Sequence, residues 1–298
     1  MNTIENTGER IALVGFGEAA GAFLDGWGLG GSGRVTTYDI AIDDPAGAVA
    51  LKDRAARAGV PCVPRITEAL AGAGLVFSLV TADQALVAAT AAAPHLAPGA
   101  LWFDCNSCAP GTKRAAAAVI AGGGGRYVDV AVMAPVHPKR HLTPLLISGP
   151  AVEAGAAALR GLGMRPDIAG DTVGAASAIK MMRSVMVKGI EALTAECLLA
   201  ARAAGVEQAV LASLQASDPG SDWAARAAYN LERMMVHGQR RAAEMREVAA
   251  TLRELGLPDR MAAATAIWQD EIGQLHLDGG APRLPERADR ILAARRPG

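Results

Sequence analysis

The sequence predicts an α/β N-terminal domain built on a doubly wound parallel sheet, then one long interdomain helix and an all-α C-terminal domain. Three observations lead there. From Arg10 to about Gly170, short apolar runs alternate with amphipathic stretches, the pattern of repeated βαβ units. Past Gly170 the strand signals stop, and a mostly apolar segment over 174–204, closed by Gly205, reads as one helix. The remainder keeps helical periodicity, broken at Asp218–Pro219–Gly220, Gly256–Leu257–Pro258 and Gly279–Gly280. A chain of 298 residues has enough length for two cores, and the boundary is expected at 170/171.

Taken in order, the expected strands are Ile11–Val14, Val35–Tyr38, Leu75–Val80, Leu101–Asp104, Tyr127–Val130 and Leu145–Ser148. Helices such as Ala46–Ala58 and Thr112–Ala121 separate them, and Gly122–Gly125 is a turn. Hydrophobic residues make up 51% but aromatics only 4%, so Ala- and Gly-rich helices pack closely rather than forming a β-sandwich. There is no internal repeat.

Charge narrows the partners. Lys plus Arg total 29 against 30 for Asp plus Glu, which leaves no field for gripping nucleic acid or an anionic membrane. A small-molecule partner is expected. Met1–Arg10 lacks the basic start and long apolar core of a signal peptide, and no apolar run reaches the ~18–20 residues that span a bilayer. A cytoplasmic protein is expected. Cys105 and Cys108 form a C-x-x-C, but Cys62 and Cys197 are isolated and the histidines scattered, so no metal site is expected. The pair reads as two buried thiols in a reducing compartment.

Gly15-Phe16-Gly17-Glu18-Ala19-Ala20 follows the first strand and opens a helix, the context that gives a glycine pattern meaning. Gly15 permits the tight turn, and Gly17 lets the backbone approach a pyrophosphate at the positive helix end. Ala20 stands for the third glycine of the Rossmann fingerprint. Asp39, at the end of the second strand, is placed to accept the adenosine ribose hydroxyls and to repel a 2′-phosphate. NAD is therefore expected, with NADP as the alternative. Val80, Thr81 and Asn106 join these residues as expected cofactor contacts.

A Rossmann half joined to a long helix and a helical domain resembles the β-hydroxyacid dehydrogenase and 6-phosphogluconate dehydrogenase superfamily. Its D-x-S-T-x-S-P-like segment is matched in part by Asp104-Cys105-Asn106-Ser107-Cys108-Ala109-Pro110. Its D-A-P-V-S-G-G corresponds to Asp129-Val130-Ala131-Val132-Met133-Ala134-Pro135, where the substrate-gripping Ser-Gly-Gly is replaced. Its G-x-G-x-x-x-K-x-x-N-N is matched by Gly174 to Ser184, with Lys180 in place and Arg183 and Ser184 where the family has its Asn pair. The segment Arg233–Met245 looks like the C-terminal domain of a little-characterised branch described as NAD-binding phosphogluconate dehydrogenases.

The resemblance implies that Lys180 exchanges the proton of a substrate hydroxyl as hydride moves to or from the nicotinamide. The neighbours Ile179, Met181, Met182, Val185 and Met186 suggest a helix covered on most sides, where a charge usually has a task. At helical spacing Lys180, Arg183, Ser184 and Glu191 fall near one face, beside Lys188. Arg183 is suited to a substrate carboxylate, Ser184 to a hydroxyl, and Glu191 to tuning a lysine. Ser107 and Met133–Pro135 are expected on the substrate side. His237, Arg240, Arg241 and Glu244 share a helix face, read either as a solvated face with an Arg240–Glu244 pair or as His237 and one arginine closing the substrate cleft.

The reading is an NAD-dependent dehydrogenase of a small 3-hydroxy acid or sugar acid. Decarboxylation and isomerising oxidation stay open. Imine reductases share the architecture but usually carry Asp or Tyr at the Lys180 position. A non-catalytic NAD sensor is the reading from another class. The resemblance also implies a homodimer formed through the helical domain.

Overall fold

The computed structural model describes residues 8–295. The chain divides into two compact units, the first ending at Lys180 and the second beginning at Met181. The first holds seven strands, β1 (Arg10–Val14), β2 (Val35–Tyr38), β3 (Ala73–Ser78), β4 (Leu101–Asp104), β5 (Arg126–Val132), β6 (Leu145–Ser148) and β7 (Pro166–Gly170). They form one sheet in the order β2-β1-β3-β4-β5-β6-β7. Between them lie helices α1 (Glu18–Trp27), α2 (Pro45–Arg57), α3 (Ile66–Leu70), α4 (Ala85–Ala92), α5 (Pro110–Gly122) and α6 (Val152–Gly161).

Alternation along the strands builds two cores, one on each face. Ile11, Leu13, Phe77, Phe103, Val128 and Val130 face one way, toward α1 and α6. Ala12, Val14, Val76, Trp102 and Tyr127 face the other, toward α4 and α5. Phe77 and Phe103 stack with centroids 4.7 Å apart, a pairing that adds roughly 0.5–1.5 kcal/mol to area burial.

Two features depart from the expected sheet. The strand β6 runs antiparallel to β5; the connection 133–144 contains only a short 3-10 turn at Arg140–Leu142, whereas a parallel return usually runs through an α-helix. And β7 follows it, pairing in parallel with β6. Its proline start and its exposed Asp167 and Ile168 hide it from a periodicity reading, as suits an edge strand. The chain winds outward in both directions from β1, so the C-terminal ends of β1 and β3 flank a topological switch point, where α/β sheets bind ligands.

The helix α7 (Ala175–Ala203) carries the chain into the second unit. There α8 (Glu207–Ser217), α9 (Trp223–Glu254), α10 (Arg260–Gly273) and α11 (Leu284–Ala294) follow, with loops at each of the three expected breaks. Leu198, Leu231, Met234, Ile272 and Ile291 build one of its cores. Met181, Met245, Val248 and Ala262 build the other. No described helix is long and apolar enough to cross a membrane.

Candidate functional site

The glycine turn sits at the switch point. Gly15 has φ +90°, and a Cβ there would lie 2.6 Å from the Leu79 carbonyl oxygen, so only glycine fits. Gly17 caps α1 without a side-chain hydrogen bond, and a Cβ on it would meet nothing within 4 Å. The result is an uncapped helix N-terminus behind open space, a cradle that fits a pyrophosphate. Phe16 and Ala20 are buried, while Glu18 is exposed and Ala19 half-buried.

Asp39 follows β2 directly and is half-buried. Its Oδ2 accepts the Phe16 N–H at 2.7 Å and its Oδ1 the Ala41 N–H at 2.9 Å. The carboxylate therefore fixes the turn. Arg34 donates to the Glu9 carbonyl at the start of β2, the strand end away from Asp39. Arg54 on α2 is the cation that sequence reasoning missed, its guanidinium 5.9 Å from the Phe16 ring centroid.

The loop after β4 is held from below. Asp104, fully buried, accepts at Oδ1 from the Asn106 N–H at 3.0 Å and from Asn106 Nδ2 at 2.8 Å. Asn106 Nδ2 also donates to Ser78 Oγ, and Asn106 Oδ1 accepts the Val80 N–H at 2.7 Å. This links the loop to the end of β3, where Val80 is half-buried and Thr81 exposed. The next residue, Ser107, accepts a 2.5 Å hydrogen bond at Oγ from Lys180 Nζ. Two residues 73 apart in sequence thus meet. Cys105 and Cys108 are buried, with Sγ atoms directed at the Phe103 and Asn106 carbonyls. Burial pushes the Cys105 thiol up to about 12.

Met133 and Ala134 are half-buried and Pro135 exposed, on the loop that replaces a helical crossover. In the second unit the other expected site residues separate. Arg183 is exposed, whereas Ser184 is buried and accepts from Lys188 Nζ at 3.2 Å. Ile179 and Met186 are 47% and 63% exposed, so α7 is not covered on most sides as expected; one face is open. Glu191 is bonded to an arginine and an amide. Buried, it accepts from Arg241 Nε at 2.9 Å and Gln269 Nε2 at 2.8 Å. Glu244 pairs with Lys188 at 2.8 Å. Along α9 Arg240 is exposed, His237 half-buried and Arg241 buried. The expected solvated face is thus divided, since two of its four members turn to α7.

Comparison with known proteins places the whole chain. A conserved hypothetical protein from Sinorhizobium meliloti 1021 is 39% identical over 96% of both chains, with TM-score 0.72. The conserved protein MTH1747, of unknown function and reported as structurally similar to 3-hydroxyacid dehydrogenases, is 31% identical over 91% of this chain and 100% of that one, with TM-score 0.65. The chain belongs to the β-hydroxyacid dehydrogenase-like superfamily. Mycobacterium tuberculosis 3-hydroxyisobutyrate dehydrogenase, solved with L-serine, shares its fold at 17% identity over 97% and 99% of the two chains, with TM-score 0.71. A domain of unknown function, DUF1932, matches residues 201–272. Comparison with curated proteins finds no match.

Within the superfamily pattern, sequence reasoning overlooked several buried polar residues around the loop and helix. Tyr127 donates to Asp104 Oδ2 at 2.7 Å, and burial together with Asp104 holds its hydroxyl well above the usual value. Lys113 lies between Asp104 and Asp129. A signal existed for Lys113, which shares the buried stripe of α5 with Pro110, Ala116 and Ile120.

Proposed function

We propose that this protein is a nicotinamide-dependent oxidoreductase that moves hydride between the cofactor and a small hydroxy acid, with Lys180 exchanging the proton of the substrate hydroxyl. The observation that carries the reading is the Lys180 Nζ–Ser107 Oγ hydrogen bond at 2.5 Å. It puts an amine within proton-transfer distance of an oxygen on the loop that follows β4, beside the end of β3. Alcohol oxidation needs a base at that distance from the hydroxyl, and the substrate oxygen is read as taking the place that Ser107 Oγ marks. The reported structural similarity of MTH1747 to 3-hydroxyacid dehydrogenases and the fold shared with 3-hydroxyisobutyrate dehydrogenase support this class of chemistry.

Gly15, Gly17 and the start of α1 would hold the pyrophosphate, and Asp39 the ribose, with NAD preferred over NADP. A bound nicotinamide supplies the hydride acceptor for oxidation and the donor for reduction. Lys180 takes the hydroxyl proton in the first direction and returns it in the second. Asn106, tied to Asp104 and to Val80 N–H, keeps Ser107 in register with Lys180. Lys180 favours alcohol over imine chemistry. We also propose a homodimer through the second unit, where Leu193, Tyr229 and Ile267 are more than half exposed; a purely monomeric mass by light scattering would refute it.

The test is NADH formation across a panel of 3-hydroxy acids and sugar acids, with Lys180→Met alongside. At least one acid should be oxidised, and the variant should lose ~10²-fold or more in kcat at unchanged NADH affinity. Undiminished turnover in Lys180→Met removes the acid–base role. Cofactor binding without turnover on the whole panel favours a sensor.

A further inference from the structure

We propose that Lys113 is a positioning residue that locks the Asn106–Ser107 loop and the start of the Lys180 helix to each other, by bridging the buried carboxylates of Asp104 and Asp129. Its setting is unusual from the sequence upward. A lysine in the first turn of a helix sits at the wrong end of the macrodipole, and lysine is almost never fully buried without partners. Yet the Lys113 side chain is 0% exposed.

The ammonium donates to the Asp104 carbonyl at 2.6 Å and to Asp104 Oδ1 at 3.0 Å, and Asp129 Oδ1, a buried oxygen with no hydrogen-bond partner, stands 3.3 Å away as its ion-pair partner. Burial by itself would lower the Lys113 pKa, but Asp104 leads the groups that raise it on balance, so the charge is kept.

Each carboxylate continues the bridge into one half of the site. Asp104 Oδ1 holds Asn106 through its backbone and side-chain nitrogens, and Ser107 follows directly. Asp129 Oδ2 accepts the Gly174 N–H, the Ser177 N–H and Ser177 Oγ, each at 3.1 Å. It thereby caps α7 from outside the helix, three residues before Lys180. Ser148 supports the same end, donating to Asp129 Oδ2 at 3.1 Å and accepting the Ala176 N–H at 3.0 Å. A second contact joins the two helix starts, since a Cβ on Gly174, at φ +100°, would lie 3.0 Å from Pro110 Cβ at the head of α5. The Lys180–Ser107 hydrogen bond joins the same loop and helix, and the buried bridge sets the geometry that this bond needs.

The inference rests on the reading of Lys180 only for its kinetic arm, and its primary readout is independent of turnover. Hydrogen exchange is measured on the full chain, with and without NADH, for wild type, Lys113→Met and Lys113→Arg. Lys113→Met should speed exchange about tenfold or more at the Asn106 amide and, together with it, at the Gly174 and Ser177 amides. Lys113→Arg, which keeps a cation between the carboxylates, should restore much of the protection. For an acid that wild type oxidises, Lys113→Met should lower kcat about tenfold or more with little change in KM, and the arginine variant should recover part of it.

Faster exchange confined to α5, or at only one of the two segments, overturns the proposal. So does full retention of protection at both. If Lys113→Met does not fold, Tyr127→Phe reads the same bridge from its far side, removing one donor to Asp104 and leaving every charge in place. Exchange must then rise at Gly174 and Ser177 as well as at Asn106, and a rise at Asn106 alone overturns the linkage. A wild type that turns over no acid refutes the proposed function, while the exchange result still decides the bridge.

Discussion

Asp39 reaches back across 23 residues to accept the Phe16 backbone N–H at 2.7 Å, which ties the end of β2 to the glycine turn. One side chain therefore holds the turn and, in the proposed cofactor mode, would also meet the ribose. Asp39→Ala should weaken NADH binding about tenfold or more, since a hydrogen bond to a charged acceptor contributes roughly 1.5–3 kcal/mol. NADPH should suffer less, because the carboxylate that repels a 2′-phosphate is gone while Arg54 stays beside Phe16. Fluorescence titration with both cofactors measures this. A parent protein that already binds NADPH more tightly than NADH would show the assignment of Asp39 to be wrong.

The two glycines of the turn should behave differently. Gly15→Ala meets both a left-handed backbone, φ +90°, and the Leu79 carbonyl oxygen at 2.6 Å. Strain and overpacking together should cost about 2–4 kcal/mol in a urea unfolding experiment. At Gly17 the backbone has φ −88° and a Cβ has open space. Gly17→Ala should fold normally yet bind NADH at least about tenfold more weakly, because its methyl occupies the approach of the pyrophosphate. Equal affinity in the folded variant would mean that the phosphate does not pass there.

The legible parts of this chain are those written in local pattern. Ile11–Val14 and Val35–Tyr38 alternate between two cores, and the turn and Asp39 follow at fixed spacing, so strands and cofactor cradle were readable together. Lys180 was placed by motif. What stayed hidden depends on partners far apart in sequence. Asp129 meets Gly174 and Ser177 across more than forty residues, and Glu191 meets Arg241 and Gln269 across fifty and seventy-eight. The edge strand β7 lacks the apolar face that reveals other strands. Arg240 and Arg241 are neighbours in sequence, yet one is exposed and the other buried against Glu191, a difference set by the bearing of α7.

The C-x-x-C pair should be chemically quiet. Cys105 is buried, and burial pushes its thiol up to about 12, so the reactive thiolate is scarce at neutral pH. Cys197 is exposed. Thiol titration of the native protein at mildly alkaline pH should modify Cys197 first and leave Cys105 and Cys108 unreacted until denaturant is added. The raised thiol also sets a sign for stability. Unfolded, Cys105 ionises near its ordinary 9.0; folded, near about 12. Its contribution is therefore intact below pH 9 and declines as pH rises through that window. Cys105→Ala should flatten this part of the alkaline stability curve, and prompt labelling of Cys105 in the native state would contradict the assignment.

In the second unit α9 and α10 meet backbone to backbone at Gly238 and Gly273. A Cβ on Gly238 would lie 2.3 Å from the Gln269 carbonyl oxygen and 2.7 Å from Gly273 Cα; one on Gly273 would lie 2.5 Å from the Gln239 nitrogen. Backbone stands on both sides, so no flexible side chain is there to yield. Helix propensity alone favours alanine by up to about 1 kcal/mol, and overpacking opposes it by about 1–3 kcal/mol or more. The steric term should win. Both Gly238→Ala and Gly273→Ala are expected to lower stability by about 1–3 kcal/mol in chemical denaturation, and the double variant by less than the sum, because the first already forces the helices apart. The same opening draws Gln269 away from Glu191 Oε2, now 2.8 Å distant, and leaves a buried carboxylate with one donor fewer. Stability equal to or above wild type in either single variant would show that the helices can slide past this contact without loss.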